Sequence, residues 1–315
     1  MVLNNVLNQQ INNDGMLEAK NLYAIDYLKI KVRITNNPLN LSTNMVIPLS
    51  KMDGEFQPLK ESYSKQWVCG SFNDHIQIKA IDKKEILIQG NLFKWLSGQN
   101  VTGTTDLIQL VLDTVTKLSQ ILNAITPTTS EIENIKLGLF RIYRIDLNKA
   151  LLFDDKEKAQ QYLNLIKEHG TYPRRNRNVE KNGIYFGKGS KRTTLLYYFK
   201  GQEIRSNNKQ QTMLTTELRA YADRMIRCEV RLFNQQLRDN ELQNGYSWNE
   251  ELVQKFVEDS HSKLNLPKPI SEIELPAKYI RFLATKKQGA LHMGYTAATT
   301  ARYKRDLARD YGLMV

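Results

Sequence analysis

The stretches RIYRIDL (residues 141–147) and IRCEVRL (226–232) constrain the fold more than any other part of the chain. Each alternates charged and apolar side chains with a period of two, the signature of a strand with one face turned to a core. Arg144 and Asp146 share one face of the first, and Tyr143, Ile145 and Leu147 take the other. Arg227, Glu229 and Arg231 share a face of the second, opposite Cys228, Val230 and Leu232. Strands of this kind need partners to pair with and helices to cover their apolar side. IDYLKIKVRI (25–34) and HIQIKAIDKKEILIQG (75–90) read as further strands, the latter turning at DKK. GLFRIYRIDLNKALLF (138–153) and RMIRCEVRLFNQQL (224–237) extend the first two, and NGIYFGKGSKRTTLLYYFKGQEI reads as a hairpin turning at Gly187 to Gly189. Between them lie amphipathic helices: DLIQLVLDTVTKLSQIL capped by Thr105 or Asp106, DKEKAQQYLNLIKEHG, a segment near 211–224, and SWNEELVQKFVEDSHSKL. The pattern predicts an α+β domain over 21–265, an antiparallel sheet with backing helices. A polar, loosely ordered arm is expected at 1–20. After a Pro-containing linker at 266–276 the pattern turns wholly helical, so 266–315 is expected to carry a small helix-turn-helix-like unit.

The charge of the chain is uneven. Of a net +12, residues 171–210 carry +8 and residues 276–312 carry +6, so the remainder is slightly acidic. Two basic patches on a near-neutral body predict a polyanionic partner, nucleic acid before membrane. In the last helix Tyr303, Leu307 and Tyr311 form an apolar line, with Arg302, Arg305 and Arg309 on a neighbouring face available to phosphates. The same spacing equally describes a basic helical cap. Cys69 and Cys228 are too few for a disulfide framework, which fits a reducing cytoplasm. Neither a secretory signal nor an apolar run long enough to span a bilayer is visible, so no membrane partner is expected.

Candidate chemistry concentrates on few residues. If the charged faces of the two alternating strands coincide, Asp146 and Glu229 form an acidic pair suited to Mg²⁺ or Mn²⁺, with Arg144, Arg227 and Arg231 beside it for a phosphate. Taken alone, the pattern reads better as salt bridges on a solvated sheet face. In TTLLYYFKGQE (193–203), read as a strand, Leu195, Tyr197 and Phe199 share one face and Tyr198 and Lys200 the other. GKGSKR (187–192) lacks the frame of a nucleotide-binding phosphate loop and reads as a turn presenting Lys188, Lys191 and Arg192 to DNA. The four histidines are scattered, with no metal-binding or hydrolase spacing.

The succession SGQNVTGTTDL, RIYRIDL, IYFGKGSKRTTLLYYFKGQE and IRCEVRL resembles the gene II/X replication initiators of filamentous phages and their rolling-circle relatives on plasmids. The resemblance runs from about Ile25 to the last residue, and implies a variant of the HUH-endonuclease fold. It also implies site-specific nicking and rejoining of one strand of an origin, single-stranded or in a supercoiled duplex, through a tyrosine–5′-phosphate link. The freed 3′ hydroxyl would prime synthesis, with a host helicase and polymerase as partners in a bacterial cytoplasm. Carried onto this chain, the tyrosine falls on Tyr198, the lysine of Tyr-x-Lys on Lys200, and the acids serving the metal on Asp146 and Glu229. Asp26 matches an aspartate opening the first strand. The histidines that hold metal in the wider superfamily have no counterpart here. Two readings of other classes stay open: a non-catalytic DNA-binding regulator, and an RNA-binding protein in which Tyr197 and Tyr198 stack on bases.

Overall fold

The structure, a computed structural model, describes residues 22–47, 49–52, 55–58, 62–206, 214–266 and 275–311. The expected arm at 1–20, and 267–274 of the expected linker, lie outside the described residues.

The strands, in chain order, are β1 (Tyr23–Arg33), β2 (Met45–Val46), β3 (Leu49–Met52), β4 (Glu55–Pro58), β5 (Ser62–Tyr63), β6 (Gln66–Cys69), β7 (His75–Asp82), β8 (Glu85–Gly90), β9 (Arg141–Leu152), β10 (Arg177–Glu180), β11 (Gly183–Phe186), β12 (Thr193–Phe199) and β13 (Met225–Phe233). Nine of them form one sheet in the order β10-β11-β12-β13-β9-β1-β8-β7-β6, while β2-β5 and β3-β4 form two-stranded ribbons. Every pairing in the large sheet is antiparallel. The two alternating strands of the sequence, β9 and β13, are neighbours at its centre.

Alternation decides which face meets the helices. Leu28, Ile30, Ile145, Leu147, Cys228, Val230, Leu195, Tyr197 and Phe199 are all buried in one apolar core. Helix Lys156–His169 packs on β11, β12 and β13, and helix Glu250–His261 on β13, β9 and β1. Helix Leu107–Ile121 turns Leu107, Leu110, Val111, Val115 and Leu118 inward; Asp106 caps it, its side chain accepting from the Gln109 amide at 2.9 Å. On the opposite face the described helices cover one end. There the short helices Lys200–Arg205 and Thr216–Ala222 close over Ala150 and Met225 in a second, smaller core with Val101. Among the described residues, two pockets open on the rest of that face.

The structure revises three local expectations. The strand holding Tyr198 ends at Phe199, and Lys200 begins a helix, so Lys200 is not a strand neighbour of Tyr198. β13 ends at Phe233 and gives way to helix Asn234–Asp239. Finally, the register of β9 slips opposite Lys29 and Ile30, where Arg144 pairs with Lys29 but Ile142 with Ile30. The extra residue of this bulge is Tyr143, so the period of two is interrupted and Tyr143 borders the same open pocket as Arg144 instead of the core.

Residues 275–311 build their own core. Helices Ala277–Lys287 and Ala297–Tyr311 bury Tyr279, Phe282 and Leu307, with Tyr295, Tyr303 and Tyr311 packed around them. The rings of Tyr303 and Tyr311 meet Tyr279 edge-on at 5.2 and 5.6 Å between centroids. The apolar line of the last helix is therefore its packing face.

Candidate active site on the open face of the sheet

Register brings the charged sets of three strands onto one face. Tyr198 pairs with Arg227, Leu196 with Glu229 and Thr194 with Arg231 across β12 and β13. Glu229 in turn pairs with Asn148, and Arg231 with Asp146, across β13 and β9. Directly opposed residues point the same way, so Tyr198, Glu229, Arg231 and Asp146 lie on the open face together. A second bulge, in β1 between Ile25 and Tyr27, makes Asp26 the unpaired residue and brings its charge to bear on Asp146 and Glu229. The three acids are thus gathered by two strand pairings and one irregularity.

Burial excludes the reading of surface salt bridges. Asp146 is 1% exposed, Glu229 4% and Arg227 2%. Charges so far from water require partners, and these are present. Arg144 grips Asp146 with two bonds of 2.8 and 2.6 Å. Arg231 Nε donates to Glu229 at 2.7 Å and lies 3.6 Å from Asp146. Burial still pushes the Glu229 carboxyl up to about 7, with the Asp26 charge adding to the rise and Arg231 opposing it. Burial likewise lifts Asp146 above the ordinary carboxylate range against the pull of Arg144 and Arg231.

Tyr198 borders a pocket of about 340 Å³ with Tyr185, Glu203, Glu229 and Arg231. Its cross-strand neighbour on β11 is Gly183, where even a Cβ would meet the Tyr197 carbonyl at 2.4 Å. With no side chain there, the space beside the phenol stays clear. Burial holds the phenol well above its usual pKa, and the Arg227 guanidinium works against that rise. Tyr197 is different: it is 0% exposed, and its hydroxyl pairs with His261 Nδ1 at 2.8 Å beneath the sheet.

Several predicted binding residues occupy other positions. Arg227, expected to meet DNA, is buried and donates to the carbonyls of Asn100 and Val101 at 2.6 and 2.8 Å; its Nε is buried without a hydrogen-bond partner. It pins the GQNV loop against the sheet. Lys200, at 0% exposure, is equally internal: its Nζ donates to Asn100 Oδ1 at 2.8 Å and pairs with Glu203. Burial, reinforced by Arg227, lowers its pKa to about 8. Lys188 and Arg192 are on the surface, paired with Glu180 and Asp239, and Lys191 is exposed. Arg302, Arg305 and Arg309 are exposed on the last helix, with Arg309 paired to Asp306 and Asp310.

Sequence reasoning missed the second layer. Asn91 donates to Asp26 at 2.7 Å and Asn100 at 3.3 Å, so two amides from the loops flanking a helix fix the bulged acid. Nothing local marks those asparagines. One signal was legible, because GQNVTGTTDL is too rich in small polar residues to be buried for its own sake.

Hard carboxylate oxygens are the donors that Mg²⁺ or Mn²⁺ prefers. Among the described residues no three His, Cys, Asp or Glu side chains stand as a ready coordination shell. Asp26 and Glu229 are the acids that could hold such an ion, brought together on the open face by the β1 bulge and the pairing of β13 with β9. Asp146 has both oxygens committed to Arg144.

The family of the phage replication-associated gene II protein, described by its N-terminal part, matches residues 24–251. The replication-associated gene II protein of Enterobacteria phage I2-2 is 22% identical over 269 residues, which is 80% of this chain and 78% of that protein. Among solved structures, the rolling-circle replication initiator protein from Geobacillus stearothermophilus aligns with 83% of this chain and 95% of its own, at 12% identity and a TM-score of 0.31.

Proposed function

The chain belongs to the family of replication-associated gene II proteins, and on that premise we propose that it nicks and rejoins one DNA strand at a replication origin, with Tyr198 as the nucleophile. The observation that carries this reading is the contrast between adjacent tyrosines. Tyr198 opens into a pocket with Glu203, Glu229 and Arg231, while Tyr197 is sealed under the sheet.

The Tyr198 hydroxyl attacks the scissile phosphorus, and the bond to the 3′ oxygen breaks. The 5′ phosphate stays on the tyrosine, and the departing 3′ oxygen takes up a proton and is free to prime synthesis. A phenol with a raised pKa must lose its proton as it attacks. Glu203 lines the same pocket and is held by the Lys200 ammonium, and it is the acceptor we assign. Arg231, partly exposed beside the pocket, is placed to meet the charge that develops on the non-bridging oxygens. Arg227, the cross-strand neighbour of Tyr198 on the same face, opposes the rise in the phenol's pKa. Lys200 acts through Glu203 and Asn100 and does not touch DNA. Mg²⁺ or Mn²⁺ held by Asp26 and Glu229 would supply further charge to the same oxygens. Because the phosphodiester energy is kept in the phosphotyrosine, attack by a 3′ hydroxyl reverses the step without ATP.

Lys188, Lys191 and Arg192 on the hairpin and Arg302, Arg305 and Arg309 on the last helix are the surface cations that would hold the backbone of origin DNA. A host helicase and polymerase would follow at the opened strand. Incubating the chain with single-stranded origin DNA and Mg²⁺ or Mn²⁺, then denaturing, tests the reading. A covalent protein–5′-DNA adduct that maps to Tyr198 is expected; an intact strand, or an adduct on another tyrosine, refutes it.

A further inference from the structure

Beside the reacting centre, the open face carries a second depression of about 620 Å³ that the nicking chemistry does not use. Tyr27, Tyr143, Arg144, Lys191, Phe233 and Gln235 border it. Its composition is unusual for an uncovered sheet. Three aromatic side chains from β1, β9 and the end of β13 are partly exposed together, and the Arg144 guanidinium lies 4.4 Å from the Tyr27 ring centroid and 5.3 Å from that of Phe233. Arg144 cannot swing away, because Asp146 holds it at two oxygens. Tyr143 reaches the pocket only because the β9 bulge turns it out of the core. Bulges at such places re-aim a side chain, and here the result is an aromatic set against a fixed guanidinium plane.

We propose that this pocket receives an unstacked base of single-stranded DNA, on a nucleotide several positions from the scissile phosphate. The proposal rests on the nicking reading above. Flat aromatic faces and an arginine plane are what an unpaired base stacks on, and a base within a duplex offers no face. The Gln235 amide at the rim can meet a base edge, and Lys191 the adjoining phosphate. β1 lies three strand spacings from β12, about 14 Å. Phe233 and Arg144 lie six residues along the strands from the level of Tyr198 and Arg227, about 20 Å. A segment of several nucleotides laid along the open face therefore reaches from the Tyr198 phenol to the pocket. The Arg144–Asp146–Arg231–Glu229 chain of ion pairs links the two sites directly.

The test is binding of a dT oligonucleotide carrying one 2-aminopurine, followed by its fluorescence on the full-length chain without divalent ions. Quenching on binding is expected. Tyr143→Ala and Phe233→Ala should each weaken binding about five-fold or more, with the salt slope unchanged because no phosphate contact is lost. Tyr143→Phe should bind as the parent does, which separates loss of the ring from loss of fold. A duplex of the same length should bind all variants equally. Unchanged binding of the single strand to both alanine variants, or equal weakening of single strand and duplex, overturns the pocket. Tighter aromatic-dependent binding of the matching rU oligonucleotide overturns its assignment to DNA. A chain that forms the Tyr198 adduct yet shows no aromatic dependence refutes the pocket alone; one that shows the dependence but forms no adduct refutes the nicking reading alone.

Discussion

Tyr197 and Tyr198 are one peptide bond apart and have opposite fates, and strand parity alone separates them. Tyr198→Phe keeps the ring and removes the attacking oxygen, so DNA binding should persist while the covalent adduct disappears from a denaturing gel. Tyr197→Phe should keep activity but cost about 1–3 kcal/mol in a urea titration, because His261 Nδ1 loses a buried partner. The parity of both tyrosines was legible in TTLLYYF; the His261 contact was not, since 64 residues separate the pair. Lys200 shows where parity stops. Its Tyr-x-Lys spacing is sound as a motif, but the strand ends one residue earlier and the side chain is drawn inside between Asn100 and Glu203. With a pKa of about 8, it is charged below that pH and neutral above, facing Glu203, Asp26 and Arg227. Adduct formation should therefore decline as pH rises through about 8, and Lys200→Met should be slow and lack that limb. Unfolding does not explain the decline. The unfolded chain holds this proton up to a higher pH, so the group's contribution to stability grows between about 8 and the ordinary lysine value.

At the scale of elements, β9 and β13 behave as the alternation demands except at the bulge. Their charged faces coincide, and neighbouring side chains bury the acids on them, so Asp146 is matched with Arg144 and Glu229 with Arg231. Asp146→Ala would strand Arg144 while Arg231 keeps Glu229, and a loss of about 3 kcal/mol is expected in denaturant unfolding. Loss of activity in that variant must be read beside its stability. Asp146→Asn, which retains an acceptor, should unfold closer to the parent. In the last helix the apolar line of Tyr303, Leu307 and Tyr311 was legible from its spacing and packs as expected on Tyr279 and Phe282. The arginines beside it are exposed, but Arg309 already has two aspartate partners. Replacing Arg302, Arg305 and Arg309 with alanine should flatten the slope of log K against log salt by about 2, short of the three contacts' full value. An unchanged slope would make this helix a cap.

For the whole molecule, the decisive feature is that helices back the central strands on one sheet face, while among the described residues those on the other face close over the Ala150 end. The proposed chemistry lies on the rest of that face. Residues 275–311 bury their aromatic cluster among themselves, so a chain ending at Leu266 should fold and form the adduct while binding duplex origin more weakly; a truncated chain that fails to fold would tie the two cores together. No helix among the described residues is long and apolar enough to cross a membrane. The alternating strands at β1, β7 to β9 and β11 to β13, the amphipathic helices between them and the apolar line of the last helix were legible in the sequence itself, because periodicities of 2 and 3.6 are local properties of the chain; the short strands β2 to β6 and β10 were not. Which strands pair, and in what register, is a long-range matter that only the tertiary structure decided. Asp26 joins Asp146 and Glu229 through a bulge, Arg227 turns from a DNA contact into a loop anchor, and Tyr143 leaves the core, because each position depends on what a strand far away in sequence places opposite it.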